Sequence, residues 1–367
     1  MSPNGPSARA ETGVSTSGTA VARIVVMIHQ SNEGLTYILP IKAPAPPTQE
    51  LTRYFQLLCA IDGVELIVVD GSSPEVFEMH AKALKGLARH VAPDADLATP
   101  MGKVGGVLTG VRLASHERMI IADDDVRYDE TSLSEVRDQL SSADVVRPQN
   151  FFDPLPFHTI WDTGRILLNR ISGGDWPGTL GVRRSALRRT DGYDGNAMFE
   201  NLELVRTVIA SGGCEAVRQD IYVMRRPSTA RHFWSQRVRQ AYDEIARPAR
   251  LAWQLAILPL ALFAASEGMW LVFPVVIAMI MVAAEVGRRR DFGAVFFPAS
   301  ASILAPAWIV ERAICSWLAV GARVFLGGVP YRGRILRHAA TPMHDLRSRF
   351  TTAIPLDKPS AAQHQSA

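Results

Sequence analysis

The sequence predicts an α/β protein with a mostly parallel sheet, followed by transmembrane helices towards the C-terminus. Three observations lead there. Short, nearly uninterrupted apolar runs at residues 35–41, 64–69 and 118–122 alternate with segments of helical spacing. Two of those runs end in acidic turns, Asp70-Gly71 and Asp123-Asp124-Asp125. Beyond residue 248 charged residues almost vanish over long stretches.

Composition bounds the answer. The 367 residues correspond to about two structural units. Lys plus Arg is 39 against 36 for Asp plus Glu, a net charge of +3, too mild for a dedicated nucleic-acid binder. Apolar residues make up 47%, enough for a sizeable core. Cys59, Cys214 and Cys315 lie far apart with no CxxC, which excludes a disulfide framework and a cysteine-type zinc site.

Residues 1–34 read as a mostly disordered leader, rich in Ser, Gly, Ala and Thr; the apolar run at 24–28 is too short for a signal peptide but suits an extra edge strand. Residues 35–41 read as a buried strand. Over 48–60, Leu51, Tyr54, Phe55 and Leu58 have helical spacing, with Thr48 as N-cap after Pro46-Pro47. The run at 64–69 is what a strand covered on both faces looks like. Helices are expected at 75–88 and 105–114, and another buried strand at 118–122. This alternation defines one α/β unit over 35–248.

Residues 249–330 form a second, apolar unit. Residues 251–265 have only Gln254 as a clearly polar side chain, Ser266-Glu267-Gly268 interrupts, and 269–284 are uncharged. Two consecutive runs near the length of a bilayer span read as a membrane hairpin. The region 294–329 fits either one span plus an interfacial amphipathic helix or a second hairpin. Arg247 and Arg250 precede the first run and Arg288 to Arg290 follow the second, whereas the turn between them carries only Glu267. The positive-inside rule then puts the α/β unit in the cytoplasm. The tail from 331 to 367, with Arg332, Arg334 and Arg337, is expected to be cytoplasmic and partly disordered, which favours an even number of crossings. The expectation is a multi-pass protein of the inner (plasma) membrane.

The chemistry-bearing residues sit where an open α/β sheet binds ligands, outside the carboxyl ends of its strands. Asp123, Asp124 and Asp125 follow a buried strand and repel one another unless a cation neutralises them. A hard divalent ion such as Mg²⁺ or Mn²⁺ suits their oxygens, and alternation along an extended chain pairs Asp123 with Asp125. Asp70, followed by a Gly/Ser turn, suits hydrogen bonding to a nucleotide base or ribose. Lys103, between Gly102 and Gly105-Gly106 at a helix start, can place an ammonium beside a diphosphate. It is not a Walker A motif, because the GxxxxGK[ST] spacing is absent.

Taken in order, these motifs resemble the membrane-associated family-2 glycosyltransferases of GT-A fold, of the ceramide-glucosyltransferase-like or a related bacterial type. Val68 to Ser73 matches the VVDDGS-like strand end, with one Asp. Gly102-Lys103 matches the helix start, and Asp123-Asp124-Asp125 the metal motif. Residues 199–204 stand where an ED-type acidic motif belongs, and Gln236-Arg237-Val238-Arg239-Gln240 where QxxRW belongs.

The resemblance implies inverting, metal-dependent transfer from a nucleotide-sugar donor to a lipid or lipid-linked acceptor at the inner membrane face. Asp70, Lys103, Asp123, Gln236 and Arg239 would bind the donor, and Asp123 and Asp125 the Mg²⁺ or Mn²⁺. The family's base is the Asp of the ED pair, here Asn201, so Glu200 or Glu203 has to take that role; Glu200 is the remaining carboxylate of the matched pair. Gln240 replaces the Trp of QxxRW, which favours single transfer over polymer synthesis. Trp176, in the Gly-rich stretch 173–181, suits stacking on an acceptor sugar, as does Trp234. Tyr331-Arg332-Gly333-Arg334 resembles an aromatic-x-Gly-Arg element found after the last span in some members. Two other readings compete. One is a degenerate, non-catalytic relative acting as a membrane scaffold, which Asn201 keeps open. The other is a sugar-nucleotide nucleotidylyltransferase, which would need a Gly-rich loop where Ile41-Lys42-Ala43-Pro44 stands.

Overall fold

The computed structural model describes residues 34–331 and 334–352. The leader, its apolar run at 24–28, Arg332-Gly333 of the aromatic-x-Gly-Arg element and residues 353–367 lie outside the described residues. The α/β unit runs β1 (Leu35–Ile41), α1 (Gln49–Ala60), β2 (Val64–Asp70), α2 (Pro74–Ala83), β3 (Arg89–Val91), α3 (Gly102–Leu113), β4 (Arg118–Ala122) and β5 (Val126–Arg127). It continues through α4 (Glu130–Gln139), β6 (Val145–Phe152), α5 (Phe157–Arg170), β7 (Thr179–Arg183), α6 (Arg184–Arg189), α7 (Glu200–Ala210) and β8 (Glu215–Arg225). Then come α8 (Ala230–Ser235), α9 (Arg237–Tyr242), the apolar helices α10 (Pro248–Ser266), α11 (Val272–Arg289) and α12 (Ala299–Phe325), a hairpin of β9 (Val329–Tyr331) and β10 (Arg334–Leu336), and α13 (Met343–Thr352).

The eight-stranded sheet has the order β3-β2-β1-β4-β7-β6-β8-β5. Strands β3, β2, β1 and β4 are parallel, β7 is antiparallel to both its neighbours, and β6 and β8 are again parallel. The apolar runs are buried on both faces. Ile38, Ile67, Val69, Met119 and Ile121 enter one core; Tyr37, Leu39, Leu66, Val68 and Ile120 enter the other. The chain order reverses between β1 and β4, so the carboxyl ends of β1, β2 and β4 open on a crevice at this switch point. Thr48 caps α1 as expected, its hydroxyl accepting from the Leu51 N–H at 3.2 Å. Helix α3 lies directly on β1: a Cβ at Gly110 would stand 2.4 Å from Ile38 Cγ2 and one at Gly106 3.0 Å from Pro40 Cβ. That close approach sets the α3 N-terminus, with Lys103, over the crevice.

The apolar unit holds the two consecutive apolar helices expected, α10 and α11, and departs from expectation in α12. Among the described residues two helices are long and apolar enough to cross a membrane: α10, of mean hydropathy 1.4, and α12, of 1.5. Helix α11, expected as the second span, is uncharged from Val272 to Ala284 and gathers Glu285, Arg288 and Arg289 at its C-terminal end. The region expected to hold a span plus a second segment is the single helix α12. Its inner face packs on α5, where a Cβ at Gly164 would lie 3.0 Å from the Ala305 Cα. Of the most apolar 18 residues, 44% are buried in α12 against 11% in α10, so α12 belongs structurally to the α/β unit. The basic tail also folds back through residue 352 instead of trailing away. Met198 N–H and Phe199 N–H donate to the His338 and Ala339 carbonyls at 3.0 and 2.9 Å.

Candidate active site

Three elements bring charged side chains together at the crevice. Lys103, at the start of α3, donates to Asp123 Oδ1 after β4 and to Glu200 Oε1 at the start of α7, both at 2.6 Å. The two carboxylates drive the Lys103 pKa upward against its burial. Arg225, at the end of β8, reaches Asp125 Oδ2 at 2.8 Å and Asp123 Oδ2 at 3.6 Å, so Asp123 and Asp125 share one guanidinium. Burial, then the neighbouring Asp123, raises Asp124 above the ordinary carboxylate range; burial raises Asp125 even beside Arg225. Asp125 Oδ1 is buried without a hydrogen-bond partner. A set of carboxylate oxygens with an orphaned member suits a hard cation such as Mg²⁺ or Mn²⁺. Gly178 makes the arrangement possible: its N-terminal-side loop runs so close that a Cβ there would stand 2.7 Å from Asp123 Oδ2.

Two cavities adjoin this cluster. The larger, ≈ 710 Å³, lies over the strand ends and is lined by Ile41, Gly71, Gly102, Lys103, Asp123 and Asp124, among others. The second, ≈ 290 Å³, is lined by Asp125, Trp176, Gln236, Arg239, Asp243 and several arginines. Exposed His232 borders both cavities.

The other expected site residues fall unevenly. Asp70 does not face the cleft. Its carboxylate is fully enclosed, accepting from Ser72 N–H at 2.9 Å, and lies 2.5 Å from His80 Nδ1 and 3.1 Å from His90 Nε2. Two histidines and a backbone donor satisfy both oxygens, so Asp70 shapes the Gly71 turn. Glu203 is also turned away: it is 0% exposed, and its Oε2 accepts from the Thr341 N–H at 2.6 Å, anchoring the returning tail. Asn201 donates to the Pro177 carbonyl at 3.2 Å and braces the loop before Gly178. Trp176 borders the second cavity, with the Arg147 guanidinium 4.2 Å from its ring centre and Phe199 edge-on. Trp234 does not border that cavity; 44% exposed, it stands in an aromatic group with Phe233, Trp161 and Phe157. Gln236 and Arg239 do line the second cavity.

Three residues escaped sequence reasoning. Arg225 lies 100 positions from its partner Asp125, and no local signal joins them. Arg237, 2% exposed, reaches Asp162 at 2.9 Å and Glu311 of α12 at 2.6 Å; the basic stretch hid which arginine was interior. Asp243 lines the second cavity, and burial pushes its carboxyl up to about 7.

No protein-family model and no curated protein sequence matches the chain. Among solved structures it is similar to mannosyltransferase PcManGT from Pyrobaculum calidifontis, in complex with GDP-Man and Mn²⁺, at 15% identity over 84% of this chain and 96% of that one, with a TM-score of 0.49. It is also similar to Mycobacterium tuberculosis glucosyl-3-phosphoglycerate synthase in complex with Mn²⁺, UDP and glucosyl-3-phosphoglycerate, at 16% identity over 56% and 76% of the chains and a TM-score of 0.40. A third is S. aureus TarS 1-349 with UDP-GlcNAc, at 14% identity over 55% and 61% and a TM-score of 0.39.

Proposed function

We propose that the protein is an inverting, metal-dependent glycosyltransferase that moves a sugar from a nucleotide donor to a lipid or lipid-linked acceptor at a membrane surface. The observation that carries this reading is the convergence of Lys103, Asp123 and Glu200 from three elements at the mouth of the switch-point crevice. The larger cavity takes the nucleotide: Gly71 and Gly102 let the backbone approach, and Lys103 meets the diphosphate. Asp70 acts indirectly, by holding the Gly71-Ser72 turn. Asp123 and Asp125 would hold Mg²⁺ or Mn²⁺, which would offset negative charge on the leaving diphosphate. Gln236, Arg239 and Trp176 border the acceptor side.

The acceptor hydroxyl oxygen attacks the anomeric carbon; the bond to the diphosphate oxygen breaks and the nucleoside diphosphate leaves with its electron pair. Glu200 takes the hydroxyl proton. Lys103 links donor and base, because a diphosphate that draws the ammonium frees the Glu200 carboxylate. Asp243 is a second candidate base, favoured by its place in the acceptor cavity and its pKa near operating pH. The membrane reading draws on the apolar surface of α10, α11 and the turn between them, where Leu260, Leu262, Phe263, Trp270, Leu271 and Met279 are exposed. The exposed Phe157 and Trp234, joined by half-buried Trp161, suit the headgroup level.

The test is release of nucleoside diphosphate from UDP-, GDP- and dTDP-sugars with membrane lipid extract and Mn²⁺. Turnover lost in Asp125→Ala supports the reading; metal-dependent nucleotide binding with no turnover points to a non-catalytic scaffold. Glu200→Gln abolishing turnover, with Asp243→Asn only altering its pH profile, assigns the base to Glu200. The reverse assigns it to Asp243.

A further inference from the structure

The acceptor-side cavity is unusually cationic. Arg165, Arg225, Arg239, Arg247, Arg250 and Arg312 all line it, facing four carboxylates. Those carboxylates are largely committed. Asp162 serves both Arg165 and Arg237, and Asp125 serves Arg225. Glu244 alone serves Arg247, at 2.9 Å, and Arg250, at 3.3 Å. The carboxyl of Asp243, pushed up to about 7, supplies only part of a charge at neutral pH.

Arg312 is the decisive residue. It is 3% exposed, its Nε has no hydrogen-bond partner, and among the described residues no carboxylate comes within ion-pair distance of it, while Glu311, Glu244 and Asp162 attract it from farther off; the Trp308 ring centre lies 5.2 Å away. Arg247 Nε is likewise buried and unpartnered, and burial lowers the Arg247 pKa despite Glu244. A buried guanidinium that no carboxylate contacts directly is costly, so a cavity that keeps one suits an anionic ligand.

We infer that this cavity binds a phosphate monoester carried by the acceptor, with Arg312 and Arg247 as its principal donors. This rests on the transferase reading given above. Phosphate is favoured over carboxylate because two separate buried guanidiniums, each with an unpartnered Nε, offer donors, and a phosphate monoester near pH 7 brings about −1.5 to −2 charge with three acceptor oxygens. The guanidinium fork suits its oxygens. The position of Arg312 adds a second element. It stands on the inner face of α12, while Ile303, Val310, Ile314, Trp317 and Leu318 on the outer face are exposed and apolar. One helix thus presents a cation to the cavity and an apolar face to its surroundings.

The experiment measures binding of dodecyl phosphate, laurate, dodecyl glucoside and glycerol 3-phosphate to the full-length protein, by titration calorimetry. UDP or GDP binding reports on the donor cleft. Dodecyl phosphate is expected to bind well above laurate and dodecyl glucoside. Arg312→Gln should weaken it by about tenfold or more, with Arg312→Lys intermediate and nucleotide affinity unchanged. Glycerol 3-phosphate binding equally well identifies a soluble phosphate acceptor; binding of dodecyl phosphate alone identifies a lipid phosphate. Both outcomes support the inference. Equal binding of dodecyl phosphate, laurate and dodecyl glucoside to the wild-type protein overturns it, even if the Arg312 variants do not fold, as does an Arg312→Gln variant that binds phosphate normally. Phosphate binding without sugar transfer leaves the inference standing and removes the transferase reading. Transfer to neutral acceptors with no phosphate binding removes the inference alone.

Discussion

Single residues set the chemistry through their neighbours. Gly178 is the sharpest case, since its missing side chain leaves room for the Asp123 and Arg225 pair. Gly178→Ala pushes a flexible carboxylate rather than backbone, so the fold should tolerate it while the metal cluster does not. Metal-dependent turnover is expected to fall by about tenfold or more with only a small change in melting temperature. Asp243 gives a pH-dependent prediction. Its carboxyl, ordinarily near about 3.9, is held near 7 in the folded chain. Between those values the native state binds more protons than the unfolded state, so this group lowers stability as pH rises from about 4 to 7, and the loss persists above. Asp243→Asn should therefore raise the melting temperature more at pH 8 than at pH 5. A gain that is equal at both values contradicts the assignment.

At the scale of elements, a buried ion network joins α5, α9 and α12. Arg237 bridges Asp162 and Glu311, and Trp161 Nε1 adds a bond to Glu311 at 3.3 Å. Two arginines hold the Asp162 carboxyl well below its ordinary range once their attraction outweighs burial. Arg237→Ala leaves both carboxylates without their shared cation and is expected to cost about 3 kcal/mol or more, read by chemical denaturation. The returning tail is a second junction. Leu336 borders the donor cavity, while Glu203 clamps Thr341. Glu203→Ala should open the segment after residue 336 to protease before the rest of the chain unfolds, and weaken nucleotide binding; cleavage that tracks global unfolding contradicts it.

For the whole molecule, the apolar surface lies on the helices that follow the α/β unit. Leu262 and Phe263 are 72% and 59% exposed. Substituting both by Glu is expected to abolish co-sedimentation with phospholipid vesicles while nucleotide binding persists, because the donor cavity lies on other elements. Retained sedimentation would show that α10 does not mediate attachment. The burial of α12 also departs from the sequence expectation for 294–329. Apolar length alone cannot separate a lipid-facing helix from one packed on protein, and α12 is half of each.

Residues 35–41, 64–70 and 118–122 carried their own fate, because an apolar run of strand length can be buried only between two layers. The same holds for the Thr48 cap and the acidic turn after β4, which are properties of a few neighbouring residues. What the order of residues could not express is which partners meet across the fold. Arg225 reaches Asp125, and Glu203 faces the tail rather than the cleft. The histidines satisfy Asp70, and Arg312 lies inside with no carboxylate in direct contact among the described residues. Those outcomes depend on how α3, α7, β8 and α12 pack, and packing is decided by shape and burial summed over the whole chain rather than by any local pattern.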